Sequence, residues 1–332
     1  MVRVPKPLRL AMKSAPAFWA AAAWLPAMAV FGAPSAAGRV VEVKDFGSNP
    51  GGLRMFVYTP PKRLPPGAPL IVVLHGCGQD AASFARNSGW IALAQRIGAA
   101  LLLPEQISKN SRGRCFNWYQ PADVRRGGEA LSIRQMTRAA ILRFASDPRR
   151  VFIVGLSAGG AMAAALLAAY PAVFAAGAVV AGMPVGAASN SVSALYRMRR
   201  ADRFRTRSGL ADEVRRAAPR TTRPRVWPRI SIWQGGRDKL VDPGNGEALA
   251  AQWSALHGYD ETPTTESTPL HGVRRRVWST PRKSAVEFWT IEEMGHGFPI
   301  AAKDGDGRVG FGVIDAALPA ARHVARFWGI DS

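Results

Sequence analysis

From residue 53 to residue 181 the chain alternates short apolar runs with longer segments of helical period. Residues 53–58 form a short β-type run, and a proline-rich turn region, Pro60 to Pro69, follows it. Residues 70–74 are apolar throughout with a β-branched centre, the pattern of a strand covered on both faces. The pattern then predicts a helix over 83–97, a strand over 99–103 and a helix over 128–145 that ends before Asp147-Pro148. Residues 151–154 are another buried strand, 158–169 an alanine-rich helix stopped by Pro171, and 176–181 a further strand. Strands alternating with helices imply an α/β fold whose mostly parallel central sheet is flanked by helices.

After Pro184 the rhythm breaks. Residues 186–228 are polar and basic, with twelve arginines between Arg197 and Arg229 against Asp202, Asp212 and Glu213. The stretch is an insertion at the sheet's active-site edge, either a basic lid or cap or a solvated loop. The strand–helix rhythm resumes with a strand over 230–233, a helix near 247–256, strands over 273–278 and 286–291, and a closing helix over 317–327.

The N-terminus changes the picture. Arg3, Lys6, Arg9 and Lys13 precede an apolar run from Ala15 to Ala33, interrupted by Pro26, and Ser35-Ala36-Ala37 supplies small residues for a peptidase. This is the order of an export signal over 1–37, with 38–332 as the catalytic domain. The other reading is an uncleaved membrane anchor or a surface helix. Export makes the expected location secreted, extracellular or periplasmic, with no stable membrane span once the signal is removed. In that setting the two cysteines, Cys77 and Cys115, are expected to form a disulfide.

The formal net charge is +21, from 44 basic and 23 acidic residues. Such a balance raises a polyanion-binding reading. No zinc-ligand spacing, helix-turn-helix signature or RNA-binding aromatic motif accompanies it, so no nucleic-acid partner or metal is expected.

The chemistry is carried by Gly155-Leu156-Ser157-Ala158-Gly159-Gly160, a Gly-x-Ser-x-Gly motif between a strand and a helix. That turn strains the serine backbone, and small neighbours permit it. The context is that of an α/β-hydrolase with Ser157 as nucleophile. A serine hydroxyl needs a base. Of His257, His271, His296 and His323, which follow Ser157 in the chain, only His296 comes after a strand on a loop, flanked by Gly295 and Gly297, and His75 precedes the serine against the expected chain order. The third member belongs between serine and histidine in chain order. Asp238, at the end of the 230–233 strand, is the choice, and Asp242 is its competitor. The oxyanion donors are expected to be the amides of Ala158 and of Cys77, in the His75-Gly76-Cys77-Gly78 loop. Trp118, Tyr119 and Trp233 are candidates for an aromatic wall at the substrate, with core packing as the alternative.

These stretches, with Pro104-Glu105-Gln106, Arg114 to Trp118, Met294 to Gly297 and Phe327-Trp328-Gly329-Ile330, resemble the polyhydroxybutyrate depolymerase family of esterases, relatives of feruloyl and acetylxylan esterases. The resemblance runs from about residue 40 to the end. It implies a cofactor-free ester hydrolase with a Ser157, Asp238 and His296 triad. The chain departs from the family at Gln234, where many relatives carry histidine, at Phe298, and in the Arg-rich stretch. Little sequence follows the closing helix, so short-chain hydroxyacyl esters and oligomers are the expected substrates rather than crystalline polymer. A feruloyl or acetylxylan esterase is the alternative within the same chemistry, and a polyanion-binding protein on a hydrolase fold the alternative outside it.

Overall fold

Ten strands build one sheet. They are β1 (Arg39–Val43), β2 (Arg54–Thr59), β3 (Leu70–Leu74), β4 (Ala100–Glu105), β5 (Val151–Leu156), β6 (Ala176–Val180), β7 (Arg229–Gly235), β8 (Thr265–Leu270), β9 (Val273–Thr280) and β10 (Lys283–Ile291). The computed structural model describes residues 38–219, 226–280 and 283–331, together with Met1. The expected export segment otherwise lies outside the described residues. The strand order is β1-β2-β4-β3-β5-β6-β7-β10-β9-β8. From β4 to β10 all neighbours are parallel, and antiparallel pairs close the sheet on either side. A parallel centre needs cover on both faces, which is why β3, β5 and β6 are buried at every position.

Helices α1 (Ala81–Asn87), α2 (Trp90–Ile97), α3 (Pro121–Val124), α4 (Gly128–Phe144), α5 (Ala158–Ala169), α6 (Ser191–Arg199), α7 (Arg207–Ala217), α8 (Gly244–Leu256) and α9 (Ala320–Trp328) complete the two outer layers. The alternation along β3 decides the faces. Leu70, Val72 and Leu74 join a core with α4, α5, α7 and α8, whereas Ile71 and Val73 join a core with α1, α2 and α9.

The structure differs from the sequence pattern in identifiable places. The single helix expected over 83–97 is two helices. Ser88 Oγ turns back to the Phe84 carbonyl, and Gly89 at φ +82° reverses the chain where a Cβ would meet the Asp306 carbonyl at 2.9 Å. Within the insertion, Asn190 and Thr206 cap α6 and α7 by accepting from Ser193 N and Gly209 N. Helix α7 buries Leu210, Ala211 and Val214 in the core beside α5 and α8. The C-terminal end of α6 is tied to the loop after β7: Asn245 Nδ2 donates to the Arg197 and Met198 carbonyls, and Asp242 N donates to Met198 O. Asp242 also accepts from Ala201 N and Gly244 N, so it is a turn residue that fastens the insertion.

Trp233 is a correction. It has no exposed surface and stacks on Trp289 at 4.6 Å, with its indole N–H donating to Ser231 Oγ. It belongs to the core under α9 and forms no wall of the site. Trp233→Ala is therefore expected to lower unfolding stability by about 3–5 kcal/mol. KM for a small ester should stay unchanged in the folded fraction. Chemical denaturation alongside Michaelis kinetics checks both.

Candidate active site

Ser157 ends β5 and caps α5, with φ 57° and ψ −120°, a conformation that costs an L-residue energy and persists only where its surroundings enforce it. Two glycines allow the enforcement. A Cβ on Gly155 would lie 2.1 Å from the Gly159 carbonyl, and one on Gly159 would lie 2.4 Å from the His75 carbonyl. Ser157 N donates to Val180 O at 2.8 Å, which pins the turn to the end of β6.

Asp238 and His296 come together at the same carboxyl edge of the sheet. The loop after β7 packs on the loop after β10 through glycines: Gly236 N donates to Ile291 O, Arg237 N donates to Met294 O, and a Cβ on Gly235 would lie 2.3 Å from the Met294 carbonyl. His296 Nδ1 is 2.8 Å from Asp238 Oδ2. The other carboxylate oxygen accepts from Leu240 N and Val241 N, and Gln234 Nε2 donates to Oδ2 at 3.1 Å. Burial pushes the Asp238 carboxyl up, but the bonds from His296, Val241 and Leu240 outweigh it and hold the group below its ordinary value. Asp238 is thus a charged acceptor that fixes His296 as the Nδ1–H tautomer, leaving Nε2 for proton transfer.

The remaining histidines have other settings. His75 is fully buried, donates Nδ1–H to the Gly76 carbonyl and accepts from Gln106 N at Nε2. Burial lowers its pKa to about 4, so it is a neutral strut under the loop that carries Cys77. His257 caps α8, His271 sits in the turn before β9, and His323 packs on Trp289 within α9.

In the loop from Gly76 to Gln79 the amide of Gly76 donates to Gln79 Oε1, that of Gly78 to Gly113 O and that of Gln79 to Gly76 O. The Cys77 amide has no acceptor among the described residues. Cys77 and Cys115 form a disulfide. Trp118 is buried and meets Tyr119 edge-on at 5.5 Å, and Tyr119 is partly exposed.

Several residues of this region escaped sequence reasoning. Glu129, 1% exposed at the start of α4, accepts from Asn117 N, Asn117 Nδ2 and Gln106 Nε2. Gln106 also donates to the Cys115 carbonyl. One buried carboxylate therefore braces the loop that holds the disulfide's second cysteine. The stretches Glu105-Gln106 and Asn117-Trp118 were visible as motifs, but the helical pattern of 128–145 concealed their shared partner.

The family profile described as "Esterase PHB depolymerase" matches residues 53–269. The chain belongs to the PHB depolymerase family of esterases. It is 37% identical over 296 residues to poly(3-hydroxyalkanoate) depolymerase C of Paucimonas lemoignei, covering 88% of this chain and 70% of that one. It is 32% identical over 271 residues to an acetylxylan esterase of Coprinopsis cinerea, covering 79% and 70% respectively. Among solved structures, an acetyl xylan esterase from Aspergillus awamori matches with a TM-score of 0.74 at 22% identity, covering 88% of this chain and 99% of that one, a likeness of fold. The sheet, the turn at Ser157 and this membership make the chain a carboxylic ester hydrolase with the α/β-hydrolase fold. The family profile spans Cys77, Ser157 and Asp238 and stops short of His296.

Two outcomes follow for this esterase. The disulfide closes a loop with a sequence separation of 38 residues. The chain-entropy relation gives it a contribution of about 4 kcal/mol. Reduction is expected to lower the melting temperature and, by freeing the Cys77 loop, ester turnover; calorimetry and activity with and without reductant measure both.

The second outcome concerns Glu129. Burial raises its pKa from 4.5 to about 7, with Asp123 adding to the rise and the Asn117 and Gln106 donors opposing it. The folded protein therefore keeps this proton where the unfolded chain has lost it, so Glu129 lowers stability as pH climbs from 4.5 towards 7. The unfolding free energy of the native protein, relative to Glu129→Gln, is expected to fall across that window in pH-dependent denaturation.

Proposed function

We propose that Ser157 attacks the ester carbonyl while His296 takes its proton and returns it to the leaving alcohol. Asp238 orients His296, and the Cys77 and Ala158 amides hold the oxyanion of the tetrahedral intermediate. The acyl-enzyme on Ser157 is then hydrolysed by water in the same two half-steps. The observation that carries this reading is the 2.8 Å bond between His296 Nδ1 and buried Asp238, at the sheet edge where Ser157 sits on its strained turn. The free Cys77 amide and the position of Ala158 at the first turn of α5 support the oxyanion assignment. Trp118 and Tyr119 remain the candidate aromatic wall, and α6, whose following residue Ala201 is bonded to the Asp242 turn, is the candidate cover.

The substrate we propose is a short-chain hydroxyacyl ester, with oligomers of 3-hydroxybutyrate as the leading case. Its support is the 37% identity to a poly(3-hydroxyalkanoate) depolymerase. The similarity to an acetylxylan esterase keeps an acyl-sugar substrate as the second reading. We propose a secreted location. The disulfide supports it, since such bonds persist in oxidising compartments. Among the described residues no helix is long and apolar enough to cross a membrane.

Ser157→Ala is expected to reduce turnover of p-nitrophenyl butyrate by about a million-fold, with His296→Ala similar and Asp238→Asn near ten-thousand-fold, and the losses should not add. A panel of hydroxybutyrate dimer and trimer, acetylated xylan, methyl ferulate and polymer film sets the substrate. Turnover is expected to be highest on the hydroxyacyl oligomers; a preference for the sugar or feruloyl esters selects the second reading.

A further inference from the structure

The Arg-rich insertion lines a cleft. The Asp202–Arg207 segment, helix α8 from Gly244 to Ser254 and strands β9 and β10 border a cleft of about 520 Å³. Trp278, Phe288 and Leu210 give it an apolar floor, and Arg203, Arg205, Arg207 and Arg276 stand around it. Two of these cations are compensated. Arg276 donates to both carboxylate oxygens of Glu247, and Arg205 pairs with Asp202 and Glu213.

Arg207 is different. It is partly buried, and its Nη2 donates only to neutral acceptors: Ser254 Oγ and the Tyr259 and Asp260 carbonyls. No carboxylate pairs with it among the described residues, and its Nε is buried without a partner. A guanidinium withdrawn from water without a counter-ion is costly, and an anion entering beside it recovers that cost. Arg203, exposed on the same rim, has no ion pair among the described residues either. Gln234 Oε1 and Thr290 Oγ1, from two further lining residues, are also buried without partners.

We propose that this cleft binds a short organic carboxylate, its charge against Arg207 and Arg203 and its carbon chain on Trp278 and Phe288. The acid released by ester cleavage has this chemistry, which makes 3-hydroxybutyrate the leading ligand. The cleft itself stands on the residues above; only the identity of the acid rests on the proposed function. Gln234 lines the cleft and donates to Asp238 Oδ2, so the ligand sits one side chain away from the group that orients His296. Product held there acts on turnover without occupying the position of the ester.

The test uses full-length protein whose Ser157 has been blocked with an alkylphosphonate. The indole N–H resonance of Trp278, assigned by its loss in Trp278→Phe, is followed while sodium 3-hydroxybutyrate is added, against sodium chloride and sodium phosphate at matched ionic strength. A saturable shift with the hydroxy acid, weakened about tenfold in Arg207→Gln, is expected, the worth of one charge-assisted contact. Arg203→Ser, at an exposed side chain, should weaken it less and guards against misfolding of the Arg207 variant. A shift no larger than that of chloride overturns the proposal. So does an equal response to phosphate, or an unchanged affinity in both arginine variants. Should the phosphonate fail to label Ser157, the nucleophile assignment falls, while the same titration on unlabelled protein still reads the cleft.

Discussion

The site depends on how closely two turns approach. The turn carrying Ser157 meets the end of β3 at Gly159, where a Cβ would lie 2.4 Å from the His75 carbonyl and 2.5 Å from that of Leu74. Without a side chain there, backbone rests on backbone, and the Cys77 loop begins at once beyond the Ser157 turn. Everything further out serves this contact. His75 is locked by bonds at both ring nitrogens, Gln79 holds Gly76, and the disulfide anchors Cys77 to a segment that Glu129 braces. Preorganised donors stabilise charge in a transition state because they need not reorganise when it forms, and this loop has little freedom left to reorganise.

The parts of this arrangement that were legible in the sequence are those with strong local signals. The strand at 70–74 and the helix at 158–169 stand where their patterns place them, because continuous apolar runs in a parallel sheet leave no ambiguity of face. The glycine-flanked turn at Ser157 was likewise local. What was not legible depends on distant partners. β8 is exposed at every position and holds its place by pairing with β9, so it has no apolar signature. Helix α7 is polar in composition, with three buried positions against α5 and α8. An indole next to a catalytic loop in sequence, Trp233, points inward because strand alternation assigns its face. Glu129 gave no sign because a buried acid near a helix start is identical in sequence to an exposed one.

The basic character also has a structural side. Acids are fewer than bases, 23 against 44, and several of them are withdrawn from the surface. Glu287 lies wholly inside between Ser231 and Arg275, Glu129 braces the disulfide segment, Asp238 serves His296, and Asp306 takes Arg322. Glu287, Glu129 and Asp238 each accept from several donors, as burial of a carboxylate requires, whereas Asp306 is bonded through one oxygen alone. The surface is left more positive than the composition alone conveys, and a field of that sign draws anions towards the molecule.

Helix α5 carries a consequence for how such a protein can change over generations. All twelve of its residues are buried, and they are alanine, glycine, leucine and methionine. A helix sheathed on every side has no solvent face on which a neutral substitution can settle, and a larger or polar residue anywhere along it meets packed neighbours. The element that follows Ser157 is therefore closed to gradual remodelling. Divergence towards new esters has to be written in the segments around it, above all the insertion after β6, where the chain meets water and has room to vary.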